Sequence, residues 1–484
     1  MRSAILLAFV ALYGCATAPG YRSSSVRTPT SFRETTGDPQ ATAPAPEGPH
    51  PLSPSPSGRG GTKDEPAVSS DYWDQLGDST LSRLVGEVLR GNLDVRSARA
   101  RVSAARSDRV RSVLDLTPSA TLQAGYSRQR LSSASFPSAF GVFPDQSVWD
   151  AGANVSWDLD VFGGIRHTVQ ARGALADVAQ EDLRNVQVSL TAEVARAYFE
   201  LRGAQEQLDV ARQNAENQRR TFDLTKQRLD AGRGSAFDTE RAQAQLSSTL
   251  ASIPAREAQV AAAQYRIGTL VGRSPTEVAR ELEQSGQLPR LPEVTSIGAP
   301  ETVVRYRPDV ASAERFAAAQ GALVGAAKAS YLPRLTIGGS AGYAAPEFNS
   351  VGNQGTLRYV VGPVLTWPGL NLGRVKAEVD AAAAREEAAR AQYSRVVLTA
   401  MEDMETSLAR YRATRLQVER LQDASAASER AAELARLRFR EGRTDFLQVL
   451  DAERTQLEAQ DRLAQGRIDA ATAYAALYKA TGGR

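Results

Sequence analysis

Two short stretches in the first half of the chain alternate strictly between apolar and polar residues. Ala120, Leu122, Ala124 and Tyr126 alternate with Thr121, Gln123, Gly125 and Ser127, and Ala153, Val155, Trp157 and Leu159 with Asn154, Ser156, Asp158 and Asp160. A period of two predicts strands with one apolar and one polar face. The second half repeats the pattern with Leu335, Ile337, Ala341 and Tyr343 against Arg334, Thr336, Gly338 and Ser340. It repeats it less cleanly with Tyr359, Val361, Pro363, Leu365 and Trp367, where Pro363 lacks a ladder donor. After the second strand the period changes. Leu183, Val186, Leu190, Val194, Ala197, Leu201, Ala204, Leu208, Ala211 and Ala215 follow steps of three and four, a heptad seam continuing through Phe222 and Leu229. No proline interrupts Ile165 to Gly234. Roughly 70 residues at about 1.5 Å each predict a rod of about 105 Å. Gly232 and Gly234 supply a turn, and Phe237 to about Val271 returns as a shorter helix in which Pro254 is expected to make a kink. The second half again follows suit, with a rod from about Arg374 to Glu441, a turn at Gly442 and a return from Phe446 to about Tyr478.

These recurrences are one duplication. Leu93-Asp94-Val95-Arg96-Ser97-Ala98 returns as Pro308-Asp309-Val310-Ala311-Ser312-Ala313, Pro118 as Pro333, Leu190-Thr191-Ala192 as Leu398-Thr399-Ala400, and Arg228-Leu229-Asp230-Ala231-Gly232-Arg233 as Arg438-Phe439-Arg440-Glu441-Gly442-Arg443. Landmarks in one order at nearly constant displacement predict two similar halves, residues 71–288 and 289–484, joined near Gly286 to Pro300 by a Pro- and Gly-containing linker. The first half is expected to hold strands at about 118–127 and 151–160 and helices over about 164–272. The second is expected to hold strands at about 334–344 and 357–367 and helices over about 374–480.

Strands of about ten residues suit a tilted membrane-spanning β-strand. Tyr126, Trp157, Tyr343 and Trp367 fall towards strand ends, where interfacial aromatic girdles sit, and Leu335 is expected to face lipid at mid-barrel. A soluble sheet with one dry face would need an apolar layer to cover it, and no spare segment provides one. Four strands do not close a membrane barrel, and open sheet edges do not occur in lipid. Several chains are therefore expected to contribute to one barrel.

The N-terminus adds a processing signal. Arg2, an apolar run from Ala4 to Leu12, and Leu12-Tyr13-Gly14-Cys15 form a leader too short to span a bilayer. It resembles the bacterial lipoprotein box, which implies that residues 1–15 are a signal peptide and that Cys15 becomes the lipidated N-terminus, carrying palmitate-type acyl chains. Ordinary cleavage beside an incidental cysteine is the alternative. Ala16 at the next position implies outer-membrane sorting. Residues 16–70 are rich in Pro, Ser, Thr and Gly and form a tether with too little apolar surface to fold.

Composition narrows the chemistry. A net charge of +3 with Arg and Glu interspersed carries no basic stripe for nucleic acid. Cys15 is the only cysteine, and the two histidines, His50 and His167, stand apart. Neither a multi-cysteine metal site nor a catalytic triad has material to work with, and the sequence calls for no cofactor, metal or enzyme activity.

Several segments together resemble the TolC-like outer-membrane efflux proteins, in particular their NodT-type lipoprotein branch. These are Trp157-Asp158-Leu159-Asp160-Val161-Phe162-Gly163-Gly164-Ile165-Arg166, Arg305-Tyr306-Arg307-Pro308-Asp309-Val310, Ala192-Glu193-Val194-Ala195 with Tyr198-Phe199, Gly362-Pro363 before Trp367-Pro368, and Val449-Leu450-Asp451-Ala452. The resemblance runs from about Tyr72 to Tyr478; the long tether and Asn371, near where the family often carries an aromatic, depart from it. It implies a mostly α protein with a membrane β-barrel. Each half would be a strand hairpin plus a long helical hairpin, and a homotrimer would form a twelve-stranded barrel continued by an α-helical tunnel. It also implies a periplasmic adaptor and an inner-membrane transporter as partners, and a place in the outer membrane of a Gram-negative bacterium. The function implied is passive conduction as the exit duct of a tripartite efflux pump. A type I protein-secretion duct is the alternative within the fold, and a periplasmic coiled-coil scaffold the alternative outside it. At the hairpin turns Gly232 and Gly442, Asp451 sits where the family's Leu-Asp-Ala segment lines a constriction, and Asp445 precedes it by nearly two helical turns. Asp451 is expected either to form a lumen ring or to lie on a solvated helix face, and Asp445 either to join a ring or to cap its helix. Arg443 and Arg233 are candidates for salt bridges between neighbouring hairpins.

Overall fold

The computed structural model describes residues 71–130, 145–293 and 300–483. Cys15 and the leader 1–15, the tether 16–70 with His50, and positions 294–299 of the linker lie outside the described residues. In chain order the described residues form α1 (Asp71–Asp74), α2 (Ser79–Gly91), α3 (Leu93–Leu114), β1 (Ser119–Gln129), β2 (Gln146–Leu159), α4 (Gly164–Asp230), α5 (Ala236–Val271), α6 (Pro275–Glu281) and α7 (Pro300–Tyr306). They continue with α8 (Pro308–Ala329), β3 (Arg334–Ala345), β4 (Leu357–Thr366), α9 (Leu372–Arg440) and α10 (Phe446–Ala480). Helices α3 and α8, each 22 residues, precede the strand hairpins and were not marked by periodicity. On α3 few apolar positions are buried, Val95 and Ala98 among them, so no stripe announces the helix. Helix α5 runs unbroken through Pro254, which removes one backbone donor without ending the helix.

The chain divides into two compact units that cut across the duplication. One contains Arg101–Ala179 and Ser312–Tyr393; the other contains residues 71–100, Gln180–Ala311 and residues 394–483. Each unit therefore takes corresponding pieces from both halves.

The first unit holds a single sheet in the order β1-β2-β3-β4, antiparallel throughout. Trp157 Nε1 donates to the Leu116 carbonyl at 2.9 Å, and in the second half Trp367 Nε1 donates to the Tyr331 carbonyl at 3.0 Å. Both tryptophans thus tie the end of a strand to the turn that enters the preceding one. The strand-to-helix junction is built by Asp160, whose carboxylate accepts from the backbone N–H groups of Ile165 and Arg166, both at 2.9 Å. Gly163 turns the chain there with φ of +80°. Those bonds satisfy free donors at the start of α4 and place a negative charge at its positive end.

The second unit is helical. Trp73, Tyr198, Phe199, Leu201, Ile267, Tyr411, Tyr474 and Tyr478 are fully buried, and each large apolar side chain so buried contributes about 1.5–3 kcal/mol. Tyr72 stacks on Tyr474 with ring centroids 4.8 Å apart, and Gln75 Nε2 donates to the Tyr474 hydroxyl at 2.7 Å. The start of the described chain is thereby fixed to α10. The Arg307-Pro308-Asp309 segment acts as a staple. Arg307 donates to the carboxylates of Asp309 and Asp403 at 2.8 and 3.0 Å and to the carbonyls of Ala400 and Ala480 at 3.3 Å.

Candidate functional site

The register of the four strands sorts their side chains into two faces. The rows Tyr126–Trp149–Ala345, Ala124–Ala151–Tyr343–Leu357, Leu122–Ala153–Ala341–Tyr359, Ala120–Val155–Gly339–Val361, Trp157–Ile337–Pro363 and Leu159–Leu335–Leu365 share one face, and all are apolar apart from the tyrosine hydroxyls. Within one copy of the chain this face is bare: Leu122 is 87% exposed, Tyr359 77% and Val361 72%. The other face carries Thr121, Gln123, Asn154, Ser156, Ser340 and Arg358. Its polar groups bond along the sheet, Asn154 Nδ2 donating to Gln123 Oε1 at 3.0 Å and Thr336 Oγ1 to Asp158 Oδ1 at 2.6 Å. Arg358 reaches over the glycine pair Gly152 and Gly342 to within 3.9 Å of Asp150. No helix among the described residues is long and apolar enough to cross a membrane.

The four aromatics singled out in the sequence fall in two groups. Tyr126 and Tyr343 stand at one end of the sheet, Trp157 and Trp367 at the other. Trp149, which sequence reading passed over, packs on Tyr126 at 4.5 Å and on Phe348 at 5.2 Å. Eight residues separate Trp149 from Trp157 on one face of β2. At about 3.3 Å per residue that is about 26 Å along the strand, or about 20 Å in height at a tilt near 40°. Leu335 sits one row beyond Trp157, so the middle of the apolar face belongs to Leu122 and Tyr359 instead.

The helical turns are built twice on one plan. The Arg233 N–H donates to the Arg228 carbonyl and the Gly232 N–H to that of Leu229; the Arg443 N–H donates to Arg438 and the Gly442 N–H to Phe439. Both are Schellman caps, with Gly232 and Gly442 at φ of +69° and +73° in the left-handed region that glycine adopts without a Cβ penalty. Ser235 then caps α5, and Asp445 caps α10 by accepting from the Gln448 N–H at 3.1 Å. Asp445 thus fills the capping role open to it. Asp451 is exposed on α10, with Arg454 3.4 Å away. Asp445 and Asp451, six positions apart, point about 120° from each other around the helix. Arg443 pairs with Glu441 of its own turn at 3.3 Å, and Arg233 is exposed. The two turns are held together by Arg228, which donates to the Phe439 carbonyl at 2.7 Å and lies 4.5 Å above the Phe439 ring, and by packing among Ala242, Phe439, Phe446 and Val449.

Beneath the turns lies a polar cluster that sequence reading missed. Glu453 is buried; it accepts from Thr221 Oγ1 at 2.9 Å and lies 3.2 Å from Arg436 Nε, while Arg436 Nη2 donates to Gln456 Oε1 at 2.8 Å. Burial pushes the Glu453 carboxyl above the usual range, outweighing the pull of Thr221 and Arg436. The cluster joins positions more than 200 residues apart, which no local pattern shows. The recurrence of Gln207, Asn214 and Thr221 every seven residues beside the heptad seam was the available signal.

Comparison with known proteins follows the same outline. The family model described as "Outer membrane efflux protein" matches residues 84–273 and 300–483. The pyoverdine export outer membrane protein OpmQ of Pseudomonas aeruginosa is 30% identical over 419 residues, covering 85% of this chain and 87% of that protein. Nodulation protein T of Rhizobium leguminosarum bv. viciae is 28% identical, covering 82% of this chain and 80% of that one. Among solved structures, that of the outer-membrane channel OprN superposes with a TM-score of 0.84 at 35% identity, covering 97% of this chain and 99% of that one.

Proposed function

Because this chain belongs to the outer membrane efflux protein family and serves as the outer-membrane channel of an efflux pump, we propose that it works as a homotrimer. Three four-stranded sheets would close into one twelve-stranded barrel. The observation that carries this is the sheet itself. It has one wholly apolar bare face, and its edges, β1 and β4, find no second partner strand among the described residues. In lipid every backbone donor and acceptor needs a partner, so β4 of one copy pairs with β1 of the next. Pro363, standing in β4, has no N–H and so leaves one donor fewer to be paired on that strand. The apolar rows then face lipid, the aromatics at both ends mark its boundaries, and the face that carries Gln123, Asn154 and Arg358 lines the lumen. Acyl chains on Cys15 add a second anchor, which intact-mass measurement of the purified protein tests. Mass measurement in detergent should give three chains; a stable monomer would contradict the barrel.

The helical turns are where a periplasmic adaptor, itself bound to an inner-membrane transporter, would seal the duct. In the trimer six such turns surround the axis, and the exposed Asp451 supplies a ring of three carboxylates. Asp451→Ala should raise single-channel conductance in planar bilayers and weaken block by multivalent cations. Unchanged conductance and block would place the constriction elsewhere.

A further inference from the structure

The alternation that sorts the strands into two faces continues past the aromatic row at one end of the sheet, and there the apolar face changes character. Arg128 follows Tyr126 on the side of β1 that carries Leu122 and Ala124, and its partner across the ladder is Ser147 of β2. Among the described strand residues it is the only charged side chain on that face. Arg130, two positions on, and Asp145, just before β2, stand one row further out. The two guanidinium groups share this single carboxylate: Asp145 accepts from Arg130 and stands 3.5 Å from Arg128. Both arginine side chains remain open, 67% and 77% exposed. The segment 131–144 contains no charged residue, and the β3–β4 connection contributes only Glu347. Glu347 follows β3 and is separated from β1 by β2, roughly 10 Å away by strand spacing. Closing the β1–β2 hairpin takes one arginine for Asp145; the second positive charge is left over.

The surroundings suit a ligand that is part polar and part greasy. The hydroxyls of Tyr126 and Ser147 lie 3.4 Å apart beside the arginines. The rings of Tyr126, Trp149 and Phe348 form an aromatic shelf beneath them. All four connections to long helices leave the sheet at the other end, through Leu114, Gly164, Ala329 and Leu372. With the helices on the periplasmic side, the Arg128 end lies in the outer leaflet. One row is two residues, about 6.6 Å along a strand and about 5 Å in height at a tilt near 40°. That step from the Trp149 row brings Arg128 into the headgroup layer, which is about 5–7 Å deep on each side of the hydrocarbon. At the opposite boundary, marked by Trp157 and Leu335, the same face carries no cation. The outer membrane has the matching asymmetry, since its outer leaflet is built of acylated sugars bearing phosphates. Guanidinium groups pair with phosphate oxygens through charge-assisted hydrogen bonds.

The geometry points to Arg128 and Arg130, together with the Tyr126 and Ser147 hydroxyls, as a docking site for the phosphorylated sugar headgroup of an outer-leaflet glycolipid. Its acyl chains would lie along the apolar rows below Tyr126 and Trp149. The inference rests on the barrel reading, which turns this face towards lipid.

The test titrates the purified full-length protein in detergent with lipid A carrying both phosphates, bound lipid being counted by native mass spectrometry and the melting temperature recorded for each variant. The double variant Arg128→Gln, Arg130→Gln should weaken binding at least about tenfold and flatten its dependence on salt. Asp145→Asn removes the competing carboxylate and should strengthen binding. Lipid A stripped of phosphate should bind the wild type as weakly as the intact lipid binds the double variant. If the arginines only close the hairpin, melting falls in all these variants while lipid affinity stays put, and the docking site is overturned. Phosphatidylglycerol bound as tightly as lipid A, with the same loss in the double variant, would overturn the glycolipid as occupant. A wild-type protein that stays dispersed without detergent and takes up neither lipid would instead overturn the barrel reading.

Discussion

Glu453 is held between Thr221 and Arg436 in a setting that resists its charge. Its carboxyl takes a proton more readily in the folded chain than in the unfolded one. Its contribution to stability is therefore greatest below the ordinary glutamate range and is lost as pH rises through the raised folded value. Glu453→Gln removes that dependence while keeping size and a hydrogen-bonding side chain. The melting temperature of Glu453→Gln relative to wild type should climb as pH rises through and above the ordinary glutamate range. A difference that stays constant with pH would show that Glu453 is not a desolvated acid. At this scale the sequence was partly legible. Gly232 and Gly442 were readable as turns because only a left-handed residue ends a helix so abruptly. The Glu453 cluster was hidden because Thr221, Arg436 and Glu453 each look ordinary until folding brings them together.

At the scale of elements, depth in the membrane decides what a charge costs. Leu122 lies midway between the Trp149 and Trp157 rows, whereas Leu335 lies beyond Trp157. Leu122→Arg should cost about 2–4 kcal/mol and Leu335→Arg about 0–1 kcal/mol, the depth dependence seen for cations on lipid faces. Urea unfolding in lipid vesicles measures both, and equal costs would show that the apolar face does not span the bilayer. Strands were the most legible elements, because the alternation of residues such as Leu122 with Gln123 survives without knowledge of partners. The order β1-β2-β3-β4 was not legible, since pairing β2 with β3 bridges some 180 residues and depends on register. Long helices announced themselves through the seam from Leu183 to Leu229. The 22-residue α3 and α8 did not, α3 for want of an apolar stripe that a periodicity argument needs.

Considered as a whole, the trimer would carry three copies of the Arg358–Asp150 pair on its lumen wall. Removing one partner leaves the other's charge facing the aqueous path. Asp150→Asn should shift ion selectivity towards anions and Arg358→Gln towards cations, read as reversal potentials of opposite sign across a salt gradient. Shifts of the same sign, or none, would argue that these side chains do not face the lumen. The antiparallel β2–β3 ladder, which joins the two halves of the duplication within one chain, has a further consequence. It has the sense that the proposed β4–β1 junction between copies would have, so the ring would in effect be six similar hairpins of which alternate junctions are covalently secured. A half-length ancestor would have had to gather six subunits to complete a ring, and the fused chain would need to gather three. Fusion also released the halves from identity: one turn is capped by Ser235 and the other by Asp445, so in a trimer alternate turns would differ in chemistry.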